Sequence, residues 1–230
     1  MQSSGPSPLL ASRAMVIACA AMMEEMRPHL PADTECHVLD FGLHADPPTL
    51  RHVLQETIDR AAASVETIIL GYGLCSMAVV GLRANGCTLV VPRVDDCIAM
   101  CLGSQEAYKA QFKSEPGTYY LTRGWIEVGD SPFSEHEKLV QAFGEQKAER
   151  VMGRMLKNYT RLAFIDTGQG ESEGYRDYSQ SMAKRFGLRY AEIPGSERLI
   201  KKMLRGPLDH EFVVAAPGET ISYLDFKSVA

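Results

Sequence analysis

The sequence predicts an α/β domain: a doubly wound, mostly parallel sheet with helices on both faces, Rossmann-like in layout. Short apolar runs of strand length alternate with helical patterns along the whole chain, and glycine, proline or aspartate turns separate them. The bulk agrees. A chain of 230 residues with 45% hydrophobic and 23% charged residues can bury one real core. We therefore expect a flexible leader over 1–13 and a single α/β domain over 14–230.

The elements follow in order. MVIACA (15–20) reads as a first buried strand and CHVLDF (36–41) as a second. Pro47-Pro48 opens a helix to about residue 63, with Leu50, Val53, Leu54, Thr57, Ile58 and Ala61 on one face. TIILGYG (67–73) is a third strand ending in a glycine turn, and 75–83 is expected to be a short helix. CTLVVP (87–92) is a fourth strand. After Asp95-Asp96 the pattern is helical, broken near Gly103-Ser104 and resuming to about 112. GTYYLTRGWIE (117–127) reads as a strand or hairpin outside the parallel layer. The charged stretch 132–157 is helical with a break near Gly144. RLAFIDTG (161–168), LRYAEI (188–193) and HEFVVAAPG (210–218) are strands, with helices over 174–186 and 196–204 between them.

A net charge of −5 and a pI near 5.7 argue against nucleic acid or an anionic membrane as partner. No apolar run reaches the roughly 20 residues needed to cross a bilayer. The stretch 8–26 carries Arg13, Glu24 and Glu25 and makes a poor secretory signal. The expected compartment is the cytoplasm, where an even cysteine count does not imply disulfides.

In a parallel sheet the ligand crevice lies outside the carboxyl ends of the strands. Just past those ends stand Cys19, His44, Gly71-Tyr72-Gly73-Leu74-Cys75, Asp95-Asp96-Cys97, Asp166-Thr167-Gly168-Gln169-Gly170 and Pro217-Gly218. Cys36 and Cys87 begin their strands and belong to the opposite edge. Cys101 sits one helical turn after Cys97.

Three cysteines on neighbouring strand ends suit zinc or an iron–sulfur cluster, because thiolates bind soft and borderline metals. Cys75 and Cys97 both fall where a helix is expected to begin, a place that favours thiolate. Against this stands the fact that free cysteine is often simply a small buried hydrophobe. His44 and Asp96 are the candidate catalytic or fourth-ligand groups, and a helix cap is the plainer role for either. Gly71 and Gly73, with Asp166, Thr167 and Gly168, are candidate ligand-binding positions, since glycine turns bring backbone N–H groups near an anion. GYGLC lacks the third glycine of a dinucleotide fingerprint. DTG alone, in an α/β chain, is not an aspartic-protease motif. His29, His37, His52 and His136 read as surface or packing residues. Tyr119, Tyr120 and Trp125 read as core.

The stretches IACAAMMEEM, DFGLHADPPTLRHVLQETID, LGYGLCSMAVVGL, PRVDDCIAMCLGSQEAY and GTYYLTRGWIE together resemble a bacterial and archaeal family known as domain of unknown function 1638, over about residues 15–220. The resemblance carries that family's cysteines to Cys19, Cys75 and Cys97, and its histidine to His44. It implies an accessory role in one-carbon, methyl-transfer or corrinoid metabolism, which admits a corrinoid as cofactor. The partners it admits are a small-molecule ligand, a methyltransferase or corrinoid protein, or a second copy of the chain. Two other readings remain open: a metal-free thiol enzyme using Cys75 or Cys97 with His44 as base, and a binding module for an anionic small molecule or corrinoid.

Overall fold

The computed structural model describes residues 13–128 and 131–227; of the expected leader, only Arg13 falls among them. The chain is α/β, with mostly parallel strands and helices packed on them, as expected. The strands do not form one sheet, however. They form two.

The first sheet contains β1 (Ala14–Cys19), β2 (Glu35–Leu39), β3 (Thr67–Gly71), β4 (Thr88–Pro92) and β8 (Phe212–Ala215), in the order β2-β1-β3-β4-β8. The β2, β1, β3 and β4 pairings are parallel, and β8 joins β4 antiparallel. Continuous apolar runs fit β1, β3 and β4, whose residues are almost all buried. The antiparallel β8 sends Pro217-Gly218 to the edge opposite the one expected. Apolar pattern identifies a strand but carries no sign of its direction.

The second sheet is parallel, ordered β5 (Thr118–Leu121), β6 (Arg161–Asp166), β7 (Arg189–Pro194). The segment expected outside the parallel layer thus supplies a parallel strand, and Arg123–Val128 then turns into helix α5. Successive side chains on β6 point to opposite faces. Ala163 and Ile165 join the core of the first sheet, while Leu162 and Phe164 join a second core with Leu121, Phe133, Met152 and Leu156.

The helix Ala20–Met26 is unexpected; the other helices lie close to expectation. Helix α1 is Ala20–Met26, α2 Pro47–Ala61, α3 Cys97–Leu102 and α4 Gln105–Ser114. Gly103 ends α3 in the left-handed conformation and the Ser104 side chain caps α4 by accepting from the Ala107 N–H, which explains the break read there. Then come α6 (Pro132–Phe143), α7 (Glu145–Met155), α8 (Glu173–Arg185) and α9 (Arg198–Arg205). No described helix is long and apolar enough to cross a membrane.

The two sheets meet through the segments that follow their strands. Glu25 of α1, 1% exposed, accepts from the Gly124 N–H at 3.1 Å and the Thr167 hydroxyl at 2.8 Å. Its backbone carbonyl accepts from Gln169 at 2.9 Å. A Cβ on Gly124 would stand 2.2 Å from the Ala21 carbonyl oxygen, so only glycine lets α5 lie this close to α1. Below these contacts the Ser196 N–H donates to the Cys101 carbonyl at 2.8 Å.

Candidate thiol site at the first sheet's carboxyl edge

In the order β2-β1-β3-β4 the chain leaves β1 toward one side for β2 and crosses to the other for β3. The switch point of the first sheet therefore lies between the ends of β1 and β3, the usual place for a ligand in open α/β sheets. Cys19 is the last residue of β1, Cys75 follows β3 and Cys97 opens α3 after β4. All three are free and buried.

Two glycines allow this convergence. Ala18 pairs with Gly71 in the ladder, and a Cβ on Gly71 would lie 2.7 Å from both the Ala18 Cβ and the Met26 sulfur. A Cβ on Gly73 would lie 2.8 Å from the Val94 carbonyl oxygen. Gly73 thus lets the two loops touch, and the Leu74 and Cys75 N–H groups donate to the Val94 and Asp95 carbonyls at 2.8 and 3.0 Å. Both glycines, expected against a ligand, are filled around by protein.

The short helix expected over 75–83 is instead a single turn, Cys75–Met77, and its three residues have φ of 44°, 54° and 73°. Three consecutive non-glycine residues in the left-handed region cost roughly 1–2 kcal/mol each. Helical periodicity could not reveal this, because the strain is imposed by the lacing to 94–95. Cys75 therefore has no helix N-terminus beneath it. Strain of this kind collects at functional sites.

The electrostatics also run against the expected thiolates. Burial pushes Cys19 up to about 11, and burial with the neighbouring Cys19 and Asp96 raises Cys75 further. Cys97 is raised well above the ordinary thiol value, first by burial and then by Cys75 and Cys19. The three sulfurs thus sense one another, and no cation lies among the groups that shift them. Without a cation they are neutral thiols. Cys101, fully buried behind them, is raised by burial and by Glu25. Cys36 and Cys87 lie at the amino ends of their strands, as expected.

Tyr72 is among the residues sequence reasoning passed over. It is 1% exposed, and its hydroxyl has no hydrogen-bond partner among the described residues. After burial, the groups that raise it are Cys19, Cys75 and Cys97. The buried hydroxyls of Tyr120 and Tyr190 likewise have no hydrogen bond among the described residues, but they stand near polar side chains, Thr118 with Arg161 and Gln180, rather than among thiols. A tyrosine between two glycines just past a strand was the available signal.

His44 lies in the short turn Phe41–Ala45, its Nδ1 2.9 Å from the Phe41 carbonyl. Its ring stacks on Tyr72 at 5.8 Å between centroids, so the phenol stands beside both the imidazole and the thiols. Asp96 caps α3 by accepting from the Ile98 N–H at 2.9 Å and also accepts from Tyr108; burial raises its carboxyl. It sits beside Cys75 and Cys97.

Asp166, Thr167 and Gly168 lie at the second sheet's edge, apart from this group. Asp166 accepts from the Gly168 N–H at 2.9 Å and the Ser172 hydroxyl at 3.0 Å, and pairs with Arg176. Thr167 is engaged with Glu25. The remaining histidines behave as expected where they are buried: His29 pairs with Glu197 and His136 with Glu149.

The donor set of three thiols with a nearby carboxylate and imidazole suits zinc or iron. Among the described residues, no three Cys, His, Asp or Glu side chains stand at coordination spacing.

A family model described as "Protein of unknown function (DUF1638)" matches residues 38–204. The chain belongs to this family. The match takes in His44, Cys75, Asp96 and Cys97 and begins after Cys19. No curated protein matches the chain.

Proposed function

We propose that this is a metal-centre protein in which Cys19, Cys75 and Cys97 hold zinc or an iron–sulfur cluster at the switch point of the first sheet. The observation that carries the reading is the convergence of three buried thiols, all raised by burial, around a Tyr72 hydroxyl that has no hydrogen-bond partner among the described residues. A buried polar group without a partner costs about 1–3 kcal/mol. A soft cation would lower the thiol pKa values, and a ligand held on it would give the phenol an acceptor. The reading calls for the cysteine side chains to rotate toward a common centre on loading. The strained Cys75–Met77 turn supplies the stored energy for such a change. Asp96 or His44 would fill or support the fourth position, and a bound metal with an open position would supply Lewis-acid chemistry.

An accessory role in methyl or corrinoid handling rests on the family resemblance, as do a corrinoid cofactor and a methyltransferase partner; the cytoplasm as compartment rests on the sequence pattern alone. A metal-free thiol nucleophile is the weaker reading. All three thiols are raised rather than lowered, and the His44 ring lies against Tyr72. Anaerobic purification with zinc, iron and sulfide quantification tests the proposal. Near-stoichiometric zinc, or iron with inorganic sulfide, is expected; trace amounts of all three would reject it.

A further inference from the structure

We propose a second ligand site on the chain, for a free α-amino acid with an apolar side chain, in a cavity of about 220 Å³ between α6 and α8. It does not depend on the metal reading, because its lining belongs to the second core rather than to the first sheet. Phe133 and Glu137 stand four residues apart on α6, and Tyr178, Met182 and Arg185 follow one face of α8 at helical spacing. The two helices therefore present these side chains to one groove. Ile126 of α5 and Phe186 complete its apolar wall, and the Phe133 and Phe186 rings pack with centroids 5.6 Å apart.

The polar groups of the lining fall into two kinds. Ser134 is held in the capping box of α6 with Ser131, and His136 meets Glu149 at 3.1 Å, so both are engaged within the protein. The Tyr178 hydroxyl stands against Ser131. Glu137 and Arg185 are different. Neither side chain forms an ion pair or a hydrogen bond among the described residues, with the other or with any third group. The Arg185 guanidinium lies over the Phe186 ring, 5.8 Å from its centroid, and Glu137 is close enough to Tyr178 to raise its hydroxyl. One free carboxylate and one free guanidinium thus border the same apolar cavity from two helices. A lone anion would meet Glu137, and a lone cation would meet Arg185. A ligand with an ammonium and a carboxylate on one carbon satisfies both through charge-assisted hydrogen bonds. Its side chain takes the aromatic floor, and a cavity below the roughly 300–1,000 Å³ of drug-sized pockets suits a molecule this small.

The test is calorimetric titration of the full chain with L-leucine, with N-acetyl-L-leucine, L-leucinamide and glycine as comparisons. These remove in turn the ammonium, the carboxylate and the side chain. The first two also stand for the two ends of a peptide, so they separate a free amino acid from a chain terminus. Saturable one-site binding of leucine is expected, tighter than that of all three comparisons. Arg185→Gln and Glu137→Gln should each weaken it about tenfold. Both residues are exposed, so neither change disturbs the core beneath the cavity. Absence of saturable leucine binding, equal or tighter binding of any comparison, or an unchanged affinity in either variant would overturn the proposal.

Discussion

The carboxyl edges of the two sheets carry similar raw material and treat it differently. At the second sheet every polar group that sequence reasoning singled out is answered from within the protein: Asp166 by Gly168, Ser172 and Arg176, and Thr167 by Glu25. At the first sheet the thiols meet one another, Asp96 and a few backbone N–H groups, the Tyr72 hydroxyl has no hydrogen-bond partner among the described residues, and the backbone at Cys75 is strained. Groups satisfied internally hold the fold. Groups left unsatisfied at a topological switch point are where a ligand would repay their burial.

Substitutions at the two edges should therefore differ in kind. The largest effect on stability is expected from Glu25→Ala, which strands the Thr167 hydroxyl and the Gly124 N–H and leaves a cavity. A loss of about 3 kcal/mol in urea unfolding is predicted; a change within error would mean the sheets are not joined through this residue. Gly73→Ala comes next, because its methyl would press on the Val94 carbonyl, a backbone atom with little freedom to move. A loss of about 1–3 kcal/mol is predicted, with weaker metal uptake as the loops part.

The metal-free thiols should also show in the pH dependence. A thiol raised in the folded state contributes stability that is complete below its unfolded value near 9. For Cys19 that contribution fades as the pH climbs toward about 11. Melting of the reduced, metal-free protein should thus fall between pH 9 and 11, and more gently in Cys19→Ala. A slope identical in the two proteins would contradict this assignment. The smallest effect belongs to Tyr72→Phe. Removing a hydroxyl that has no partner should leave the metal-free melting temperature unchanged or slightly raised, and a marked drop would mean that the hydroxyl is bonded within the protein.

Much of this was legible in the sequence. Strand positions, the Gly103-Ser104 break and the gathering of Cys19, Cys75 and Cys97 at one edge, with Cys36 and Cys87 at the other, all follow from apolar runs and turn residues. The division into two sheets was not, because periodicity marks a strand without naming the strand it pairs with. The direction of β8 was hidden for the same reason, and with it the placement of Pro217-Gly218. The Cys75–Met77 turn eluded pattern reading because tertiary lacing to 94–95 overrides the local helical preference. Glu25 was concealed within the apolar run MMEEM, where an acid reads as surface unless its distant partners are known.

Cobalt(II) titration of the reduced, metal-free chain tests the central claim most directly, since thiolate–cobalt charge-transfer absorption reports the cysteines themselves. The account predicts saturation near one cobalt per chain in the wild type and in Cys87→Ser, and loss of the band in Cys75→Ser. No thiolate–cobalt band in the wild type, or an undiminished one in Cys75→Ser, would contradict it.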